Sequence, residues 1–146
     1  KNGEIAIYVY KLKSPVREFS DEFIRNKISE LRYDEAFESL KGITEIGKVL
    51  SDLKIQIDVP EVKVLEIEKG QYDLQRFFYH FFLKCFWNNN MSFDENNAVN
   101  FDWYHPQICF KYKIGQIKKW FENSGLLITH SNEDFYGITM RGKKTS

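Results

Sequence analysis

The apolar positions of this chain fall into a short run with no polar face, a series of helical stripes, and two alternating stretches near the end. After a turn signal at Lys1-Asn2-Gly3, residues 4–10 (EIAIYVY) form a run of β-formers. Ile5, Ile7 and Val9 point one way and Ala6, Tyr8 and Tyr10 the other, and a strand that is apolar on both sides needs cover on both faces. The pattern reads as a buried interior strand of a parallel or mixed α/β sheet. An antiparallel strand between two helical layers has the same pattern, because periodicity does not fix direction.

Ser20 has N-cap character, with Phe19 and Ile24 spaced as a hydrophobic staple, which predicts a helix over 21–31. Asp34 is placed to cap a helix over 35–40 that Gly42 ends. Thr44 is placed to cap a third, in which Ile46, Val49, Leu50 and Leu53 make one apolar stripe. Residues 54–69 alternate valine and isoleucine with charges around Pro60, which suits an edge strand or extended linker. Asp73 caps a helix predicted over 74–87 (LQRFFYHFFLKCFW), apolar on nearly all sides, which must be covered by neighbours or line a cavity. Asn88-Asn89-Asn90 breaks it.

Ser92 and Glu95 have capping-box spacing over a short turn, and residues 96–106 (NNAVNFDWYHP) read as an ordered aromatic loop. An amphipathic helix over 115–124 turns Ile117, Trp120 and Phe121 inward, with Gly125 at the left-handed C-cap position. Strands over 126–132 and 136–141 close as a hairpin. Three strands do not bury this much helix on both faces, so further polypeptide or a second copy is expected to complete the sheet. The organisation expected is one partial domain: a central strand region at 1–13, a mostly helical insertion or lid at 14–112, and a terminal helix and hairpin at 113–146. The chain opens on Lys1 rather than methionine, and sequence upstream of it is expected.

Composition narrows the class. The 146 residues carry 21 basic and 21 acidic side chains, so no net field steers the chain toward nucleic acid or an anionic membrane. No apolar run approaches the ~20 residues that span a bilayer, and no signal peptide is visible, so a cytoplasmic setting is expected. Cys85 and Cys109 lack CxxC spacing or clustered histidines and read as reduced, buried small hydrophobes. Aromatic residues make up 16% of the chain, and their crowding between Tyr72 and Phe121 asks for a reason.

Asn2-Gly3-Glu4 before IAIYVY resembles the Pro-Gly-Gly segment and fifth strand of class I S-adenosylmethionine-dependent methyltransferases. QIKKWFENSGL, LLITHS and FYGITMRGKK resemble the end of those enzymes: a helix closing on Trp-Phe-x-x-x-Gly-Leu, then the sixth and seventh strands as the antiparallel return of the sheet. FDWYHP, YVYKLKSPVREFSDEFIRNKIS and YDLQRFFYHFFLKCFW resemble a subset with a large helical insertion after the fifth strand. Phe110-Lys111-Tyr112 departs from the more polar, often histidine-containing stretch of that subset. The resemblance implies the C-terminal portion of a Rossmann-like sheet. The glycine-rich turn that approaches the cofactor has no counterpart here, since the chain contains no GxG, and S-adenosylmethionine is expected to bind upstream of Lys1.

The resemblance also places the insertion over the mouth of the site. Its substrate-side candidates are Arg76, Tyr79, His80, Trp87, Asn100, Asp102, Trp103 and Tyr104, with His105 as candidate general base. Against these stand ordinary readings: an Arg76–Asp73 ion pair three positions apart, a satisfied core His80, aromatic rings that simply pack, and a structural His130. A small-molecule substrate is the partner expected, for an enzyme part inactive alone. The alternative is a non-catalytic binding or oligomerisation module that uses the aromatic helix, or an open sheet edge, to pair copies. A metal hydrolase ranks behind both, because the three histidines have no ligand spacing.

Overall fold

The computed structural model describes residues 3–144, so Lys1 and Asn2 of the N-terminal turn lie outside the described residues. The chain is α/β and divides into two compact units, one built from Lys1–Leu12 with Phe110–Ser146 and the other from Lys13–Cys109. In chain order the elements are β1 (Glu4–Tyr10), α1 (Pro15–Ile28), α2 (Tyr33–Ser39), α3 (Lys41–Asp52), β2 (Gln56–Val59), a 3-10 turn (Lys63–Leu65), β3 (Gly70–Asp73), α4 (Leu74–Phe81), α5 (Phe93–Tyr104), α6 (Ile114–Asn123), β4 (Leu126–Glu133) and β5 (Gly137–Lys144).

The first unit is a three-stranded antiparallel sheet in the order β1-β5-β4. β1 pairs with β5 from Glu4↔Lys143 to Tyr10↔Gly137, and β5 pairs with β4 with a bulge between Ile128 and His130. The hairpin is as its alternation predicts. One face of the sheet packs on α6, where Ile117, Phe121, Ile138 and Met140 form a core joined by Ile7 and Val9. Gly125, at φ +67, ends the helix in the left-handed conformation that glycine adopts without strain.

Two expectations fail here. β1 is not buried on both faces: it is the sheet's edge among the described residues, and Ala6, Tyr8 and Tyr10 are exposed because α6 covers only the side of Ile7 and Val9. Trp120 does not turn inward. It is exposed and meets Tyr112 edge-on at 4.7 Å, while Ile117 and Phe121 point at the sheet.

The second unit is mostly helical, with β2 and β3 forming a separate antiparallel pair from Gln56↔Asp73 to Val59↔Gly70. Its core joins Ile28 of α1, Ala36 of α2, Leu40, and Trp103 and Tyr104 of α5. α1 starts at Pro15, earlier than the Ser20 cap predicted. A proline at the first helical position loses no hydrogen bond, and Ser14 sits at the N-cap with its hydroxyl donating to Phe81 O instead of capping. Ser20 and Phe19 are therefore inside the helix, and no staple forms around them.

Arg32 rather than Asp34 occupies the N-cap of α2, and Gly42 and Thr44 lie inside α3 instead of ending and starting helices. α3 buries Thr44 and Gly47, so its apolar stripe faces outward, with Ile46, Val49 and Leu53 exposed. Gly47 sets that rotation: a Cβ there would collide with the carbonyl oxygen of Cys85.

The helix predicted over 74–87 ends at Phe81, and the sequence read as an aromatic loop is helix α5. The two differences have one cause. Asn96, Asn97 and Asn100 of α5 are fully buried; the amides of Asn96 and Asn100 take up the backbone of the segment after α4, while Asn97 bonds Thr44 and Phe37 O. Asn100 Oδ1 accepts from Phe86 N at 2.8 Å while its Nδ2 donates to Phe86 O, and Asn96 Oδ1 accepts from Asn88 N at 2.7 Å while its Nδ2 donates to Asn88 O. Gln75 Nε2 donates to Cys85 O at 2.7 Å. An extended segment whose polar groups are satisfied by side chains has no need of helical bonds. The Ser92–Glu95 capping box and the Asp73 cap form as their spacings predict.

Candidate functional site

The polar centre of the second unit is built on α1. Arg17, Asp21 and Arg25 follow at i, i+4 and i+8, which puts three charges on one face, and in this structure that face is buried. Arg17 Nε donates to Asp21 Oδ1 at 2.8 Å in an ion pair 1% and 0% exposed. Asp21 Oδ2 accepts from Trp103 Nε1 at 2.8 Å, and the Tyr104 hydroxyl lies 3.2 Å from Asp21 Oδ1 and from Lys84 O. Arg25 reaches from the same face to donate to Trp103 O at 2.8 Å.

Lys84 completes the cluster from the segment after α4. Its ammonium lies 4.7 Å from the Trp103 ring centre and donates to Val99 O at 3.0 Å. Burial, then the positive charges of Arg17 and Lys13 against the opposing Asp21 and Asp102, lowers its pKa to about 7. Burial and the Asp21 carboxylate hold the Tyr104 phenol well above its usual value, so it stays protonated and donates.

Several candidates therefore belong to the core. Asn100, Trp103 and Tyr104 are buried in the hydrogen bonds just described. Trp87 is buried beside Phe93 and donates its indole N–H to Asn89 Oδ1 at 2.7 Å. His105 is not in a loop but at the C-cap of α5, stacked on Phe101 with ring centres 4.5 Å apart and Nε2 3.2 Å from Leu31 O. Asp102 is exposed on α5, and His130 is exposed on β4.

Arg76, Tyr79 and His80 come together on α4 and keep part of their surface open. The Arg76 guanidinium lies over the Tyr79 ring at 5.5 Å and over the Phe86 ring at 5.8 Å. From the other helix, Arg17 lies over the same Tyr79 ring at 5.1 Å and donates to Tyr79 O. The His80 imidazole meets Tyr79 edge-on at 5.0 Å. Burial first, then the charges of Arg17, Arg76 and Lys13, pull the His80 pKa down to about 4, so at neutral pH it is an uncharged donor and acceptor. The remaining rings of α4 stack largely on each other and on β3, with Tyr72, Phe77, Phe81 and Phe82 at 5.4 to 5.7 Å.

Sequence reasoning missed Arg17, Asp21, Arg25 and Lys84. The signal for the first three was their four-residue spacing along α1, where a charged face is ordinarily solvated. Among the described residues no group of three or more His, Cys, Asp or Glu side chains is placed to hold a metal ion, and no helix is long and apolar enough to cross a membrane. No protein-family model, curated protein or solved structure matches the chain.

Proposed function

We propose that this chain is the substrate-side, C-terminal part of an S-adenosylmethionine-dependent methyltransferase acting on a small molecule or cell-surface metabolite, with the cofactor held by polypeptide outside it. The observation that carries this reading is the strand order β1-β5-β4: the last strand lies between the first and the penultimate and is antiparallel to both. The antiparallel return that the resemblance implies would have this order, and α6, which closes on Trp120-Phe121 and Gly125, packs on the sheet. The edge of β1 opposite β5 supports the same reading. Over Glu4–Val9 that edge bears no strand among the described residues, so a completed sheet has a place to continue.

Methyl transfer from a sulfonium demands alignment of the acceptor atom with the methyl group and exclusion of water. In the helical unit, Tyr79 and the partly open Arg76 and His80 supply a wall that orients an acceptor, while the Arg17–Asp21–Trp103 core holds that wall rigid. Neutral His80, a weak base at its lowered pKa, offers a ring nitrogen that orients an acceptor hydroxyl or amine by a hydrogen bond.

Calorimetry compares this chain with the product of its gene extended upstream to the in-frame start. The expectation is micromolar binding of S-adenosylmethionine by the longer protein and none by residues 1–146. Binding by the shorter chain, or by neither, overturns the reading.

A further inference from the structure

Of the two guanidiniums near the Tyr79 ring, one has no counter-charge among the described residues. Arg17 and Arg76 both lie over the Tyr79 ring, at 5.1 and 5.5 Å. Arg17 is matched by Asp21 at 2.8 Å and by Tyr79 O. Arg76 is matched by neither: its guanidinium has no hydrogen bond or ion pair among the described residues, and it is its backbone N–H that donates to Asp73 Oδ1, at 3.0 Å. The nearby acid that offered an ordinary ion-pair explanation of Arg76 is thus spent on capping the helix. The guanidinium lies over the Tyr79 and Phe86 rings at 5.5 and 5.8 Å, half-buried, with its N–H fork unused.

A stacked guanidinium is already ordered, so little side-chain entropy remains to be lost when its fork closes on a planar or tetrahedral oxyanion. The surroundings favour a negative group. Arg17 and Lys13 act on His80 together with Arg76, and the buried Asp21 is already committed to Arg17, Trp103 and Tyr104. The pKa values of His80 and Lys84 are both lowered, and charges from this set contribute to each shift.

We propose that Arg76 is the anchor of an anion site that takes the carboxylate or phosphate group of a small molecule, with the Tyr79 and Phe86 rings as its shelf and His80 beside it. On the methyltransferase reading, on which this assignment of the ligand rests, that group belongs to the methyl acceptor.

The test is an NMR titration of the 146-residue chain with inorganic phosphate and, separately, acetate, at an ionic strength held constant with sodium chloride. Saturable shifts are expected at the Arg76 Nε–H and the His80 ring. The His80 pKa should rise on saturation, because a bound anion favours the imidazolium. Saturation by phosphate alone or acetate alone identifies which oxyanion the site takes. Arg76→Gln should weaken binding at least tenfold, and Arg76→Lys, which keeps the charge and loses the fork, should fall between. The conservative variant serves if the first fails to fold. Shifts that follow ionic strength only, or equal binding by wild type and both variants, overturn the proposal. The titration contains no cofactor, so it fails or succeeds independently of S-adenosylmethionine binding by the longer protein.

Discussion

The carboxylate of Asp21 on α1 holds the indole N–H of Trp103 on α5 at 2.8 Å, across 82 positions of sequence. The same carboxylate neutralises Arg17 and lies within reach of the Tyr104 hydroxyl, so one side chain ties two helices through three partners. Replacing it with Asp21→Asn leaves a buried guanidinium without its counter-charge. A buried pair broken on one side costs about 3–5 kcal/mol. Urea unfolding followed by Trp fluorescence should register a loss of that size, and a change below 1 kcal/mol would contradict the burial described.

Two glycines of α3 should respond oppositely to alanine. At Gly47 the new Cβ meets the Cys85 carbonyl, and overpacking of this kind costs about 1–3 kcal/mol, more than the roughly 1 kcal/mol that alanine gains in a helix. At Gly42 a Cβ meets nothing within 4 Å. Thermal denaturation should place Gly47→Ala below the wild type and Gly42→Ala at or above it.

Asn100→Ala strips partners from both backbone groups of Phe86 and from Thr44 Oγ1. Each buried group left unsatisfied costs about 1–3 kcal/mol. Amide hydrogen exchange should accelerate most at Phe86, whose N–H loses its acceptor, and little on β4 and β5.

Stability should depend on pH through Lys84. Its folded pKa of about 7 lies below the unfolded value of 10.5, so between those limits the unfolded chain binds more protons. The penalty of charging Lys84 in the fold is complete below pH 7 and fades as pH rises toward 10.5. His80 acts likewise at lower pH, costing stability as pH falls from 6.5 to about 4. Urea midpoints measured from pH 7 to pH 10 should rise for the wild type and rise less for Lys84→Met.

The two thiols should separate by reactivity. Cys85 is fully buried, and desolvation pushes its pKa up to about 11, whereas Cys109 is half-buried. A chromogenic disulfide reagent should titrate Cys109 first and reach Cys85 only as the protein unfolds.

The features legible in the sequence are those fixed by a few neighbouring residues. The Asp73 cap, the Ser92–Glu95 box, Gly125 and the terminal hairpin needed no tertiary information. The polarity rule failed wherever a polar side chain was buried to serve another segment. α5 buries three asparagines, which hid it as a helix, and α1 buries Arg17, Asp21 and Arg25, which hid the centre of the site. The stripe on α3 was real as a pattern, yet its contacts were decided by Gly47, whose missing side chain lets the Cys85 carbonyl approach. Of the substrate-side candidates, Arg76, Tyr79 and His80 meet on one helix because they are separated by three and one positions. Asn100, Trp103 and Tyr104 shared the same polar and aromatic signature but spend it on the core.

The first unit is assembled from both ends of the described chain, which meet where Leu12 N donates to Tyr112 O and Tyr112 N donates to Tyr10 O, each at 2.9 Å. This imposes a timetable on synthesis. β1 emerges from the ribosome long before β5, its neighbour in the sheet, so the helical unit has the opportunity to fold first while β1 waits unpaired. A nascent chain stalled before Gly137 should therefore already contain the Arg17–Asp21–Trp103 centre and still lack its sheet.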